Sequence, residues 1–90
     1  MATVSTKSDR TTVIEALVRI RMADQVPPEP FETWLRDRPA VRGVWSLSGD
    51  CDYEIRLTTA SLDELTAELR ALRHQGVEQT NTCLLLREIF

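Results

Sequence analysis

The apolar residues of this chain alternate between two periodicities, and the order of the alternation constrains the fold more than any other feature. From Val13 to Met22 every second residue is apolar, which predicts a strand with one apolar face and one mixed face. The stretches from Val41 to Ser48 and from Tyr53 to Thr59 flank a short Gly-Asp turn, which predicts a hairpin. A last apolar strand is predicted from Val77 to Ile89.

Two segments between these strands show helical spacing instead. Residues 31–35 carry a short apolar stripe, with prolines before it and after it. The segment from Ser61 to His74 opens with a capping box formed by Ser61 and Glu64, and it stops before Gly76. Its predicted apolar stripe consists of Leu62, Leu65, Leu69 and Leu72.

The element order β-α-β-β-α-β predicts a ferredoxin-like plait of the α+β class. This fold has a four-stranded antiparallel sheet with both helices on one face. The other face has no helix to cover it, and Val13, Leu17 and part of the last strand would lie there. A half-apolar open face on a thin domain favours a sheet-to-sheet dimer with two-fold symmetry. Residues 1–10 are polar and without periodicity, which predicts a flexible N-terminal arm and leaves 11–90 as one domain.

Composition argues against several functions. The formal net charge is −3 and no basic stripe is present, so direct binding to nucleic acid is not expected. No apolar run approaches the roughly 20 residues of a membrane span, and residues 1–12 lack the apolar core of a signal peptide. A cytoplasmic chain with reduced cysteines is therefore predicted. The spacing of Cys51, Cys83 and His74 suits neither a metal site nor a cofactor site.

Two short strings could hold a ligand. Gly49 would let a ligand approach the backbone of the turn, whose free amides suit a carboxylate, while Asp50 and Asp52 suit an ammonium group. Thr80 and Thr82 lie two residues apart on a strand, so their hydroxyls face the same side. Ordinary turn chemistry and strand propensity explain the same residues, so each string taken alone favours a structural role.

The remaining reactive side chains do not form a catalytic set. His74 lies at a predicted helix end without a nearby nucleophile, which favours a solvated capping role. Cys51 stands between two aspartates rather than in the electropositive surroundings that activate a thiol. Cys83 opens an apolar stretch and is predicted to lie in the core.

Taken together, the strings resemble the effector-binding domain of the Lrp/AsnC family of transcription regulators, often called the RAM domain. The resemblance rests on the order and spacing of four segments and covers residues 12–90. The segments are Phe31–Leu35 (FETWL), Ser48–Tyr53 (SGDCDY), Gly76–Thr82 (GVEQTNT) and Leu84–Ile89 (LLLREI).

The resemblance implies a ferredoxin-like homodimer that assembles into a higher oligomer, with an amino-acid effector in a cleft between neighbouring dimers. By motif position, the effector would be held by Gly49, Asp50, Asp52, Tyr53, Thr80 and Thr82. Cys51 occupies a position that is often aromatic in the family, so the identity of the ligand does not carry over.

About ten polar residues precede the first strand, too few for the helix-turn-helix domain with which full-length regulators begin. The expectation is therefore a stand-alone sensing domain that does not grip DNA itself. It would modulate transcription through effector binding or through co-assembly with a full-length regulator. The alternative is a small dimeric ferredoxin-like enzyme of the monooxygenase type, and a third possibility is a purely structural assembly domain.

Overall fold

A computed structural model describes residues 13–90, and the predicted arm at residues 1–10 lies outside that range. Six elements follow one another in the predicted order βαββαβ. They are β1 (Ile14–Met22), α1 (Pro28–Arg36), β2 (Val41–Ser46), β3 (Tyr53–Thr59), α2 (Leu62–His74) and β4 (Val77–Leu84).

The four strands form one antiparallel sheet in the order β2-β3-β1-β4. This arrangement confirms the predicted ferredoxin-like plait. Strand β1 is central, because it pairs with β3 on one side and with β4 on the other. As a result Ile20 lies opposite Tyr53 across one pairing and opposite Thr80 across the other.

The core lies between the sheet and the two helices. On β1 the residues with even numbers, Ala16, Val18 and Ile20, are fully buried. They pack in one cluster with buried residues of α1 and α2, so both helices cover the same face of the sheet, as predicted. The helical members of this cluster are Phe31, Leu35, Leu65 and Leu72.

Helix α2 begins with the predicted capping box. The Ser61 hydroxyl accepts a hydrogen bond from the Glu64 amide at 3.1 Å. The Glu64 carboxylate in turn accepts one from the Ala60 amide at 3.0 Å. Two backbone donors at the start of the helix are therefore satisfied by side chains.

The connection after α1 is tied to α2 by one bidentate ion pair. The Arg38 guanidinium donates to both carboxylate oxygens of Glu68, at 2.8 and 3.0 Å. It also lies 4.6 Å from the centroid of the Trp34 ring. Trp34 is half-buried and stacks on Phe31, which links this polar contact to the core.

Strand β4 differs from the prediction, because it ends at Leu84 rather than at Ile89. Its last pair with β1 is Leu84 opposite Ala16, followed by one backbone hydrogen bond from the Leu85 amide to the Glu15 carbonyl at 2.9 Å. Since β1 itself begins at Ile14, no strand within residues 13–90 continues the ladder beside the segment that follows Leu85.

Two further predictions about burial are wrong. Leu62 is 58% exposed, because it is the first residue of α2 and lies beyond the edge of the core. Cys83 is exposed rather than in the core, since it pairs with Leu17 on the sheet face that the helices leave open. No helix within residues 13–90 is long and apolar enough to cross a membrane.

Candidate functional site

The loop between β2 and β3 is anchored to the end of β1 through Asp52. The Asp52 amide donates to the Ile20 carbonyl at 2.8 Å, and its carbonyl accepts from the Leu47 amide at 2.9 Å. Its carboxylate accepts a hydrogen bond from the Met22 amide at 2.8 Å. One oxygen of this predicted ligand-binding residue is therefore engaged in holding the loop. Gly49 has a φ of +102°, a backbone conformation that glycine adopts without strain.

Asp50 extends from this loop over the open face of the sheet. There it lines a depression of about 250 Å³ together with Cys51, two arginines of β1 and two amides of β4. Those four are Arg19, Arg21, Gln79 and Asn81. The register explains the grouping, because Arg21 lies opposite Gln79 and Arg19 lies opposite Asn81.

The two arginines of this depression are held differently. The Nε of Arg19 lies 3.0 Å from a carboxylate oxygen of Glu54, and this hydrogen bond raises the pKa of Arg19 above its usual value. Arg21 donates to the side-chain oxygen of Gln79 at 2.7 Å, while its nearest carboxylate, that of Glu78, is 3.6 Å away. Arg21 is the more available of the two for an added anion, because its exposed ion pair with Glu78 contributes little free energy and is easily exchanged.

Thr80 and Thr82 point to the other side of the sheet. Thr80 lies opposite Ile20 and Thr82 opposite Val18, both of which are buried beneath the helices. Their side chains therefore share a side, but the sheet separates them from Asp50. The two motif strings do meet in space, through Gln79 and Asn81 rather than through the threonines.

Tyr53 is buried on the helix side of β3, 5.5 Å from the Phe31 ring between centroids. Its hydroxyl donates a hydrogen bond of 2.6 Å to the Glu32 carboxylate. With Ser46 it lines a cleft of about 460 Å³ between α1 and β2, and also one of about 380 Å³ beside the β1–α1 connection. Asp52 lines the second of these. The predicted residues are thus divided among separate surfaces within one copy of the chain.

Sequence reasoning missed Arg21, Gln79 and Asn81 as neighbours of the loop. The signal was present in the alternation of β4, where Gln79 and Asn81 alternate with Thr80 and Thr82 and therefore lie on the opposite face. The sequence does not indicate which face of β4 the Asp50 loop approaches.

The environment of Tyr53 predicts a pH effect that can be measured directly. Burial, and then the hydrogen bond and charge of Glu32, raise its pKa to about 12. A tyrosine whose pKa is raised by folding stabilises the folded state below its unfolded pKa of about 10. That contribution falls as the pH rises from about 10 toward 12, so the free energy of unfolding should decrease over this interval.

Absorbance titration of the tyrosinate measures this pKa without interference, since the chain contains one tyrosine. The Tyr53→Phe variant should lose the part of the alkaline decrease that is linked to this group. An inflection at the ordinary value near pH 10, with the chain still folded, would contradict the prediction.

Comparison with known proteins identifies the domain. The family model for the Lrp/AsnC ligand-binding domain matches residues 15–90. The chain belongs to this family. Sequence comparison with curated proteins gave no match.

Solved Lrp/AsnC structures share the fold. A transcriptional regulator from Neisseria meningitidis, in complex with L-Met, is 22% identical with a TM-score of 0.79, over 100% of this chain and 60% of that protein. An AsnC family regulator from Agrobacterium tumefaciens is 20% identical with a TM-score of 0.76, over 92% of this chain and 56% of that protein. FFRP-DM1 is 19% identical with a TM-score of 0.70, over 81% of this chain and 99% of that protein. This chain thus spans little more than half the length of the two regulators and nearly all of FFRP-DM1.

Proposed function

We propose that this chain is an amino-acid-sensing domain of the Lrp/AsnC type that modulates transcription as an oligomer. It would act through binding of the effector or through co-assembly with a full-length regulator. The observation that carries the proposal is the depression in which Asp50 meets the β1 arginines and the β4 amides. Membership of a ligand-binding family supports it, as does the L-Met complex of the similar Neisseria regulator.

The chemistry of the depression suits a zwitterion. The Asp50 carboxylate is exposed and would accept hydrogen bonds from an α-ammonium group. The Arg21 guanidinium would bind the α-carboxylate in place of its exposed contact with Glu78, because guanidinium geometry matches a carboxylate. Gln79 and Asn81 supply neutral donors and acceptors between them. The depression therefore holds partners of both signs, as the two main-chain charges of an amino acid require.

The other predicted residues would have distinct roles. Gly49 keeps the loop free of side-chain bulk, and Asp52 holds the loop on β1. Tyr53, Thr80 and Thr82 lie on the helix side, where they would meet an effector only at a contact with a neighbouring copy. This division agrees with an effector bound between copies rather than inside one.

The open face supports a two-fold sheet-to-sheet dimer. Its charges are largely neutralised within one copy, with Arg19 paired to Glu54 at 3.0 Å and Arg56 to Glu15 at 2.8 Å. Removing such ion pairs from water at an interface costs less free energy than removing isolated charges. The Asp50 depression opens onto the same face, so a second copy would also help to enclose the effector.

We also propose that the domain performs no chemistry of its own. Its one histidine, His74, is exposed at the end of α2 and lines none of the clefts described above. A small monooxygenase would need a reactive group in the cleft. The polar groups on these surfaces are carboxylates, guanidinium groups, amides and hydroxyls, with the Cys51 thiol between two aspartates rather than in the electropositive surroundings that activate a thiol.

A thermal-shift screen against the twenty amino acids tests the sensing function. An amino acid present at one hundred times its dissociation constant should add about 2.7 kcal/mol to the free energy of unfolding. The Asp50→Ala variant should lose this shift and keep the melting temperature of the unliganded protein, because Asp50 is exposed and is not among the side chains with a hydrogen-bonded partner within residues 13–90.

Asp52→Ala is the matched control from the same loop. Loss of its hydrogen bond to the Met22 amide should lower the free energy of unfolding by about 1 kcal/mol before any ligand is added. Absence of a shift with all twenty amino acids would refute amino-acid sensing. A shift that survives in Asp50→Ala would move the site away from the depression.

A further inference from the structure

Strand β2 lies at an edge of the sheet, and part of its backbone has no partner strand within residues 13–90. The Leu47 amide donates to the Asp52 carbonyl at 2.9 Å. The register with β3 is regular through Ser46 and Val44, and hydrogen-bonded pairs alternate along an antiparallel ladder. The backbone groups of these two residues therefore point away from β3, and each offers one N–H and one C=O to an added strand.

The side chains of Val44 and Ser46 line the cleft of about 460 Å³ between α1 and β2. They lie on that side of the sheet because the residues opposite them on β3, Ile55 and Tyr53, are buried beneath the helices. The outward backbone groups and the cleft are therefore next to each other. A strand added to β2 would place every second side chain in the cleft.

Two arginines line the same cleft. Arg36 is the last residue of α1, and Arg42 occupies a bulge in β2, where it has no opposite residue on β3. Both side chains are exposed, and neither forms an ion pair with a carboxylate of residues 13–90. Arginines elsewhere on the sheet and after α1 do form such pairs, namely Arg19, Arg21, Arg38 and Arg56.

Glu32 is the only carboxylate among the described residues that line the cleft. It accepts the hydrogen bond of 2.6 Å from the Tyr53 hydroxyl, so one of its oxygens is already engaged. Two arginines against one glutamate leave an excess of positive charge in the cleft, although the formal net charge of the chain is −3. The cleft therefore attracts carboxylates more than the rest of the surface does.

We infer that β2 and this cleft bind an extended acidic peptide segment of another protein, which joins the sheet as an added strand. Main-chain hydrogen bonds to Val44 and Ser46 hold the peptide along the edge. Carboxylates on alternate residues of the peptide reach Arg36 and Arg42. This surface is separate from the proposed sensing site, because the Asp50 depression lies on the open face of the sheet.

Charge favours an acidic partner over other occupants of the edge. A second copy that paired through its own β2 would bring a cleft of the same sign against this one, which is unfavourable. Residues 1–12 contain one aspartate against one lysine and one arginine, so they lack the acidic character that the cleft selects. A small carboxylate ligand would leave the outward backbone groups of β2 unused.

Three fluorescent peptides of about eight residues, a common strand length, serve as probes. The first alternates valine and glutamate, and the second has glutamine in place of glutamate. The third keeps the glutamates but has N-methylated backbone amides, which removes the donors that strand pairing needs. Fluorescence anisotropy should show that the full chain binds the glutamate peptide, and that it binds each of the others about tenfold more weakly or less.

Charge variants of the chain test the role of the cleft. Arg36→Ala and Arg42→Ala should each weaken binding of the glutamate peptide about five- to tenfold. Arg70→Ala is the matched control, because it removes an exposed arginine of α2 that does not line the cleft, and it should leave binding unchanged. Glu32→Gln should strengthen binding, since it removes the carboxylate but keeps an oxygen that accepts from Tyr53. Damage to the fold would not produce such a gain.

Val44→Pro tests the backbone contact from the side of the protein. Because the Val44 amide points outward, proline at this edge position removes a donor without breaking the ladder with β3. Circular dichroism should be unchanged and binding of the glutamate peptide should be lost. If this variant does not fold, the N-methylated peptide still decides the question.

Three results would overturn the inference. Equal affinity for the glutamate and N-methylated peptides would make the cleft a carboxylate site without strand addition. Equal affinity for the glutamate and glutamine peptides would remove the role of the arginines. Failure of the full chain to bind the glutamate peptide would mean that the edge is not open to a partner, whether a second copy or residues 1–12 cover it.

Discussion

Replacing Ile55 with alanine is expected to lower the free energy of unfolding by about 2–5 kcal/mol. Ile55 is fully buried on β3, opposite Val18 of β1 on one side and Val44 of β2 on the other. The substitution removes methylene and methyl groups from the centre of the sheet, and the flanking strands cannot move in to fill the space. A domain of 90 residues has a total stability of about 5–13 kcal/mol, so much of that would be lost.

Urea denaturation at a fixed protein concentration measures this effect, because oligomer formation would otherwise change the apparent stability. Leu62→Ala is the control, since Leu62 is a large aliphatic residue that lies outside the core. Its stability should change by no more than about 0.5 kcal/mol. Similar losses for the two variants would mean that the core described for residues 13–90 does not carry the stability of the fold.

Gly76→Ala is expected to be the second most damaging of the substitutions considered. Gly76 has a φ of +97°, which costs an L-residue about 1–2 kcal/mol. An added Cβ would also lie 2.8 Å from a methyl carbon of Val26, and overpacking of this kind costs about 1–3 kcal/mol. The two costs add because the turn before β4 packs closely against Val26 in the β1–α1 connection.

Gly49→Ala separates the two contributions. Gly49 has nearly the same backbone conformation, with a φ of +102°, but nothing lies within 4 Å of an added Cβ. Gly49→Ala should therefore lower the free energy of unfolding only by the conformational cost of the positive φ. Gly76→Ala should be less stable than Gly49→Ala by the cost of the contact between the added Cβ and Val26. Chemical denaturation of both variants measures that difference, and equal stability would show that Val26 moves aside without cost.

The two glycines also bear on the proposed site from different sides. Gly49 belongs to the loop that carries Asp50, whereas Gly76 immediately precedes the strand that carries Gln79 and Asn81. A small loss of stability in Gly49→Ala with a large loss of effector binding would mean that the loop backbone approaches the ligand closely. Gly76→Ala should affect binding only in proportion to its effect on folding.

Much of the fold could be predicted from the sequence, because local patterns carry the information. Alternation along β1 predicted which side chains are buried, and the register later confirmed it for Ala16, Val18 and Ile20. The capping box at Ser61 and Glu64 marks the start of α2 through contacts within a single turn. In each case the physical cause lies within a few residues of the pattern.

The errors arose where the outcome depends on a distant part of the chain. The apolar stretch through Ile89 has the composition of a strand, but β4 ends beside the start of its antiparallel partner β1. Cys83 has a residue type that is often buried, but its register opposite Leu17 places it on the open face. Neither the length of a neighbouring strand nor its register is encoded in the local sequence.

The candidate site shows the same division. The sequence by itself determined the βαββαβ order, and it marked two regions of interest: the turn at Gly49 and the strand after Gly76. Only the tertiary structure decided that Asp50 meets Gln79 and Asn81 rather than Thr80 and Thr82. The reason is geometric. The side chains of β4 alternate between its two faces, and only the pairing of β4 with β1 determines which face lies beside the Asp50 loop.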